Sequence, residues 1–407
     1  MFTGAPLFLC PKNWGTSKIA VRSRQARPSR VIATSATLPL TAKAGFAILS
    51  GVNNCTTEPR SRPDPKRRRT EPFALLVKPA GGDCNLRCRY CFYLGHPGGR
   101  MDAGLFARML ESYEALPFDG KSVVLQGGEP LLAGRGIIDA LNRSGVEKSI
   151  QTNATLITDD LAALFAANGW LVGASLDGPR EMNAARDGSF DDAVKGIRRL
   201  EAAKADYNLL TVVSRENVAK PAETYKYLRD NFATRYHQYI ECTGPDLAIS
   251  SEEWGRFLIG LFDEWIRRDA NTVSIRLFDS IVSKIVFGQP TLCPFSPACD
   301  RYLVVEHDGS VYPCDFYVRP ELRLGNVATD TWEKILASPI RRAFAHEKSA
   351  NLPEKCRICQ YFDFCRGDCP RNRQRLCAGW KMFFDHALPD FRYLAAEAVA
   401  NMRGSST

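Results

Sequence analysis

Three cysteines lie close together in the sequence CNLRCRYCFY (84–93), with the spacing C-x3-C-x2-C. A tetrahedral zinc site or an ordinary iron–sulfur cluster uses four protein ligands. Three thiolates, from Cys84, Cys88 and Cys91, would hold three irons of a [4Fe–4S] cluster and leave the fourth iron open. An open iron can bind a small molecule, as the vacant position of a catalytic zinc does. The alternative interpretations of this array are a structural zinc site completed by His96 and an ordinary ferredoxin-type cluster.

Eight more cysteines lie between Cys293 and Cys377. Their spacing begins as C-x5-C-x14-C and continues as C-x2-C-x5-C-x3-C in CRICQYFDFCRGDC (356–369). In a chain of this length, clustered C-x2-C spacings favour metal binding over a disulfide framework. Eight thiolates suffice for two further four-iron clusters, with two structural zinc sites as the alternative. So many metal-binding thiolates need a reducing compartment, and we therefore expect a cytoplasmic location.

The first array follows directly after a strand-like run, and five more such runs come later in the chain. Amphipathic helical stretches separate them, which predicts an α/β fold with a parallel sheet, open or partly closed into a barrel. The six runs are FALLVKPA (73–80), KSVVLQGGEP (121–130), EKSIQTN (147–153), LVGASLDGP (171–179), DYNLLTVVS (206–214) and YHQYIEC (236–242).

Polar residues and glycines stand where these runs end. They are Gln126, Gly127, Gly128, Asn153, Ser175 and Asp177. The carboxyl ends of parallel strands form the edge at which ligands bind in such folds, so we expect one site to collect these residues and the first cysteine array. Beyond about residue 275 the alternation stops, and RYLVVEHDGSVYPCD (301–315) predicts a β-hairpin.

Charge is unevenly distributed along the 407 residues, whose net charge is +9. Residues 1–70 carry 13 Lys and Arg against 2 Asp and Glu, whereas the remainder carries 41 against 43. The near-neutral remainder argues against nucleic-acid binding, and no apolar run is long enough to span a membrane. Residues 1–70 lack the regular spacing of apolar residues that helices and strands show, and we expect a disordered basic extension there.

The first array, with Tyr90 before its last cysteine, resembles the signature of the radical S-adenosylmethionine (SAM) superfamily, and GGEP (127–130) resembles its SAM-binding loop. The resemblance implies a [4Fe–4S] cluster that binds SAM through its open iron. It implies that Glu129 accepts a hydrogen bond from the SAM ammonium and that Arg186 contacts the carboxylate. The full set of implied SAM-binding residues is Tyr90, Phe92, Tyr93, Gln126, Gly127, Gly128, Glu129, Pro130, Asn153, Ser175 and Arg186.

The later cysteines resemble those of a SPASM domain, which carries two auxiliary [4Fe–4S] clusters. The resemblance implies two interleaved ligand sets, namely Cys293, Cys299, Cys314 and Cys369 for the first cluster and Cys356, Cys359, Cys365 and Cys377 for the second. The chain would then bind three [4Fe–4S] clusters. Its expected parts are the extension (1–70), a partial (β/α)6 radical SAM barrel (71–275), an irregular Cys-rich SPASM domain with a β-hairpin (276–390) and a C-terminal tail (391–407).

Within this group, the segments QGGEPLLAG, IQTNATLI, VSIRLFDS and SVYPCDFYV resemble the anaerobic sulfatase-maturating enzymes. The resemblance implies oxygen-independent oxidation of a Cys or Ser in an unfolded or nascent sulfatase polypeptide to Cα-formylglycine. It assigns Asp315 as the catalytic base, a flavodoxin or ferredoxin as the reductant, and a monomeric enzyme without nucleic-acid or membrane partners. The alternative is another SPASM-type peptide-modifying enzyme, which would form thioether or C–C cross-links.

Overall fold

The computed structural model describes residues 73–404, except residues 243 and 245. The basic extension predicted for residues 1–70 lies outside the described residues, as do the last three residues of the chain. None of the helices in the described part of the chain is long and apolar enough to cross a membrane.

One ten-stranded sheet organises the described residues, in the order β10-β9-β8-β1-β2-β3-β4-β5-β6-β7. The strands are β1 (Ala74–Val77), β2 (Ser122–Leu125), β3 (Glu147–Thr152), β4 (Leu171–Ser175), β5 (Asp206–Val213), β6 (Tyr236–Glu241), β7 (Ser274–Ile275), β8 (Tyr302–Val305), β9 (Ser310–Tyr312) and β10 (Gly325–Asn326). The helices are α1 (Ala103–Glu114), α2 (Arg135–Asn142), α3 (Asp159–Ala167), α4 (Phe190–Ala202), α5 (Pro221–Asn231), α6 (Ser251–Arg268), α7 (Arg276–Phe287), α8 (Trp332–Leu336), α9 (Pro339–Ala350), α10 (Glu354–Arg357), α11 (Phe362–Cys365) and α12 (Cys377–Gly404).

All six predicted strands are present as β1 to β6, and each pairs in parallel with the next. Several of the intervening helices begin where the sequence offers a capping side chain. The Asp102 carboxylate accepts a hydrogen bond from the first turn of α1, Thr158 does the same for α3, and Ser250 begins α6 with a complete capping box. Such caps satisfy backbone N–H groups that have no partner within the helix. The predicted α/β fold with a parallel sheet is confirmed.

The hairpin of β8 and β9 is present as predicted, but β8 extends the sheet by pairing in parallel with β1. Because side chains alternate along a strand, β1 has two different faces. Leu75 and Val77 pack into the main core beneath the helices, whereas Leu76 lies on the other face with Val304 and Cys314. The proposed boundary at residue 275 is therefore not a break in the sheet.

The C-terminal segment differs from the expected tail, because α12 continues to Gly404. The side chains of Phe391, Leu394 and Ala398 are buried, and the Phe391 ring lies 4.9 Å from that of Phe262 in α6. Burial of these apolar side chains ties residues beyond 390 to the main core.

The crossing of α6 and α12 depends on two glycines. A Cβ atom at Gly379 would collide with the Ser251 carbonyl oxygen, and one at Gly255 would lie 2.8 Å from the Gly379 Cα. We expect Gly379→Ala to lower the free energy of unfolding by about 1–3 kcal/mol, since the helices must move apart. Urea unfolding measures this. Gly145→Ala is the control because its Cβ would meet only the end of the Glu114 side chain, 3.4 Å away. Equal stability of both variants would contradict the close crossing.

Candidate active site

The first cysteine array occupies the loop after β1, at the carboxyl edge of the sheet. The three thiols of Cys84, Cys88 and Cys91 lie close enough together to interact with one another electrostatically. Burial raises the pKa of Cys88 to about 11, and a bound cation would favour its thiolate form. The Leu86 N–H donates to the Cys84 sulfur at 3.4 Å, and the Asn153 amide lies 3.8 Å from the same sulfur.

The GGEP loop is held against the residues that precede the array. The Gly128 N–H donates to the Gly81 carbonyl and the Glu129 N–H to the Asp83 carbonyl, both at 2.8 Å. A Cβ atom at Gly128 would collide with the Asp83 carbonyl oxygen, so only glycine fits there. Gly127 has a φ of 126°, which also favours glycine, and Pro130 begins a short 3-10 helix. The loop and the array therefore form one unit.

Glu129 is almost completely buried at this edge. Its carboxylate accepts hydrogen bonds from the Thr152 hydroxyl at 2.8 Å and from the Asn153 N–H at 2.9 Å, so it links the loop to the end of β3. Burial raises its pKa to about 7. A cationic group bound beside it would stabilise the charged carboxylate, which fits an ammonium ligand.

Tyr90, Asp177 and Arg186 form a buried group behind the array. The Tyr90 hydroxyl donates to the Asp177 carboxylate and accepts from Arg186 Nη1 at 3.1 Å. The second terminal nitrogen of Arg186 is buried and has no hydrogen-bond partner among the described residues. An unpaired guanidinium nitrogen fits a carboxylate ligand. Ser175, also predicted for this site, is the partly exposed last residue of β4.

Phe92 and Tyr93 contact the part of the chain that follows the barrel. The Tyr93 hydroxyl donates to the Glu306 carboxylate at 2.6 Å, and Lys78 Nζ lies 3.9 Å from the centre of the Tyr93 ring. The Phe92 ring lies 4.9 Å from that of Phe316. These two aromatic side chains therefore connect the cysteine array to the hairpin.

Lys78 and Glu306 are two site residues that the sequence reasoning missed. Val77 pairs with both Leu125 and Val305, so the next residues Lys78, Gln126 and Glu306 lie side by side just beyond the ends of three neighbouring strands. All three side chains are buried. The signal was present in the sequence, because the apolar runs LLVK, VVLQ and LVVE each end in a long polar residue.

Asp315 is buried beside this row. Its carboxylate accepts one hydrogen bond from the residue after β2 and one from β8 of the hairpin. Its Oδ2 accepts from the Gln126 amide at 3.3 Å and its Oδ1 from the Tyr302 hydroxyl at 3.2 Å. Gln126 was predicted as a SAM contact, and in this structure its amide lies against Asp315. The carboxylate thus lies between the end of β2 and the hairpin, next to Cys314.

The eight later cysteines are brought together in two groups. One cavity is lined by Cys293, Cys299, Cys314 and Cys369. In the second group, Cys377 lies close enough to Cys356 and Cys365 to interact with them electrostatically. Cys356 interacts in the same way with Cys359. The structure therefore places Cys369 and Cys377 in different groups, although they are only eight positions apart.

Within residues 73–404, no three His, Cys, Asp or Glu side chains lie close enough together to share a single metal ion. A four-iron cluster binds each thiolate through a different iron, so its ligands are spread more widely than those of a single ion. The donor chemistry, thiols grouped at three places, therefore fits iron–sulfur clusters.

Comparisons with known proteins match two parts of this chain to described families. The profile of the Radical SAM superfamily matches residues 79–228, and that of the SPASM iron–sulfur cluster-binding domain matches residues 293–360. A cysteine-type anaerobic sulfatase-maturating enzyme of Clostridium novyi is 32% identical over 365 residues, covering 79% of this chain and 97% of the relative. The chain belongs to the anaerobic sulfatase-maturating enzymes.

Members of both named types of this family are similar to the enzyme. A serine-type member from Bacteroides thetaiotaomicron is 29% identical over 384 residues, covering 81% of this chain and 92% of that protein. A solved structure described as native anSMEcpe with bound AdoMet and Cp18Cys peptide superposes with a TM-score of 0.75 at 31% identity. It covers 80% of this chain and 99% of that one. The similarity thus extends through both the barrel and the Cys-rich part.

Proposed function

We propose that the enzyme oxidises a Cys or Ser side chain of a sulfatase polypeptide to Cα-formylglycine without oxygen. Family membership supports this reaction. The assignment of Asp315 as its catalytic base depends on one structural observation. The buried Asp315 carboxylate lies beside the row of polar residues at the carboxyl edge of the sheet, where the loop of the first cysteine array also begins. A substrate side chain bound there would have a proton acceptor beside it.

The proposed cofactors are SAM and three [4Fe–4S] clusters. When bound, they would supply hydrogen abstraction from the substrate and an acceptor for the electron that remains. Cys84, Cys88 and Cys91 would hold the SAM-binding cluster. The two groups of later cysteines would hold the auxiliary clusters, in the interleaved sets that the resemblance implied.

The residues of the chain itself would bind SAM and remove a proton. Glu129 would accept from the SAM ammonium, and the unpaired nitrogen of Arg186 would donate to the carboxylate. Asp315 would take the thiol or hydroxyl proton of the substrate while Gln126 and Tyr302 hold its two oxygens in place. Loss of this proton makes the substrate easier to oxidise, which is why a buried base beside the auxiliary cysteines is useful.

The proposed partners are an unfolded or nascent sulfatase polypeptide and a flavodoxin or ferredoxin that supplies electrons. The chain would act as a monomer in a reducing cytoplasm, since its metal-binding thiols must remain reduced.

Anaerobic incubation of the reconstituted enzyme with SAM, dithionite and a sulfatase-motif peptide tests this function. Peptides with Cys, Ser or Ala at the target position should give a hydrazide-reactive aldehyde for Cys or Ser and none for Ala. Mass spectrometry locates the product and identifies which of the two residues is preferred. A cross-linked product without aldehyde reactivity would instead support the alternative peptide-modifying activity.

A further inference from the structure

The Tyr302 hydroxyl lies between the proposed base and a proposed cluster ligand. It is 3.2 Å from the Asp315 carboxylate and 3.3 Å from the Cys314 sulfur, and the Cys314 sulfur is 3.7 Å from the same carboxylate oxygen. All three side chains are buried. One hydroxyl group, one sulfur and one carboxylate thus form a closed triangle.

The hairpin register fixes this triangle. Val304 of β8 pairs with Tyr312 of β9, so continuing the antiparallel register by two residues brings Tyr302 opposite Cys314. Tyr302 also pairs with Ala74 of β1, which anchors it in the sheet. The Tyr302 backbone is therefore anchored by its pairing with β1, and the hairpin register places its side chain opposite Cys314.

Metal binding would leave Tyr302 as the proton donor of this triangle. A ligated Cys314 is a thiolate and an ionised Asp315 is a carboxylate, so neither has a proton to donate. A hydrogen bond to a ligand sulfur stabilises the more negative reduced cluster and raises its reduction potential. Because the hydroxyl has one proton, this hydrogen bond is shared with the Asp315 carboxylate, and the shared contact fixes the direction in which the base points.

We propose that Tyr302 is a positioning residue that orients the base Asp315 and, through Cys314, raises the reduction potential of the first auxiliary cluster. This inference rests on the proposed function and on Cys314 as a ligand. Packing alone does not account for the hydroxyl, since Tyr302 lies in an apolar cluster with Leu76 and Val304, where phenylalanine would fill the same space.

Tyr302→Phe removes the hydroxyl and keeps the ring. The cluster potentials are measured by EPR-monitored redox titration in a background with Cys84, Cys88 and Cys91 changed to alanine, which leaves the auxiliary clusters. We expect the potential of one cluster to fall and that of the other to stay unchanged. In the otherwise intact enzyme, formylglycine per 5′-deoxyadenosine should fall roughly five- to tenfold, the scale of one lost hydrogen bond.

Tyr225→Phe is the matched control, because the Tyr225 hydroxyl also donates to a carboxylate, that of Asp269, at 2.7 Å. Tyr225 lies on α5 and is far in sequence from the proposed cluster ligands. It should change neither potential nor product ratio. Incorporation of 3-fluorotyrosine at position 302 gives a second test that keeps the shape and strengthens the donor, so the same potential should rise. If the Tyr302→Phe protein does not bind its clusters, the 3-fluorotyrosine variant still tests the effect of the hydroxyl on the reduction potential.

Unchanged potentials in both Tyr302 variants would overturn the proposal. The proposed function has a separate outcome, because it depends on the wild-type enzyme forming the aldehyde. If the wild type makes no aldehyde while the potentials still shift, the contact between Tyr302 and the cluster stands and the function fails. If the wild type makes aldehyde and the potentials do not shift, the function stands and the role of Tyr302 fails.

Discussion

Replacing Cys84, Cys88 and Cys91 together by alanine is expected to remove about four irons per chain and all SAM cleavage, leaving about eight irons in the auxiliary sites. The three thiols form one group in the loop after β1, whereas the eight cysteines from Cys293 to Cys377 form the two other groups. Removing them therefore leaves one cluster without ligands and the other two intact. Iron analysis and chromatography of 5′-deoxyadenosine after addition of SAM and dithionite measure both effects.

Cys242→Ala provides a close control. Cys242 is fully buried and packs in the same small apolar cluster as Tyr90, with Cys88 against its edge, but it belongs to none of the proposed ligand sets. Its replacement should leave iron content and SAM cleavage near those of the wild type. The assignment fails if the triple variant keeps its full iron content, or if Cys242→Ala loses as much iron as the triple variant does.

The barrel could be predicted because each of its strands carries its own signal. β1 to β6 are apolar runs that end in polar or glycine residues, and helices of recognisable period separate them. The pairing of β8 with β1 carries no such signal, since it joins residues more than two hundred positions apart. For the same reason, the position of Glu306 beside Lys78 and the contact of Gln126 with Asp315 could not be predicted, although each of the three apolar runs ends in a long polar residue.

The separation of Cys365 from Cys369 shows a second limit of sequence reasoning. The three residues Arg366, Gly367 and Asp368 all have positive φ angles, of 49°, 77° and 59°, which reverse the chain between the two cysteines. The Asp368 carboxylate fixes this turn by accepting from the Cys369 N–H at 2.6 Å and from the Trp380 indole at 3.0 Å. Spacing alone does not reveal such a turn, because two of its three residues are not glycine. The interleaved sets therefore had to come from the family resemblance.

The second large effect is expected from Asp315→Asn, which keeps the size of the side chain and removes the base. Formylglycine formation should fall by roughly 10²-fold or more, the usual scale for loss of a positioned general base. Formation of 5′-deoxyadenosine should persist, because hydrogen abstraction does not require the proton acceptor. The two products are quantified from one reaction, by peptide mass spectrometry and by chromatography.

The surroundings of Asp315 can accommodate the asparagine side chain that this substitution introduces. The Gln126 Oε1 atom has no hydrogen-bond partner among the described residues, so a flipped Gln126 amide can accept from the introduced NH2 group. The Tyr302 hydroxyl can still donate to the remaining carbonyl oxygen. We therefore expect the variant to fold and to bind its clusters, which iron analysis checks.

Asp308→Asn is the matched control for this change. Asp308 lies in the turn of the same hairpin, where its carboxylate accepts from the Ser310 N–H at 2.9 Å, and asparagine can make the same contact. The control should therefore keep the wild-type ratio of formylglycine to 5′-deoxyadenosine. If Asp315→Asn retains its iron and also keeps that ratio, Asp315 is not the base. The buried carboxylate would then serve only to hold Gln126 and Tyr302 together at the junction of β2 and the hairpin.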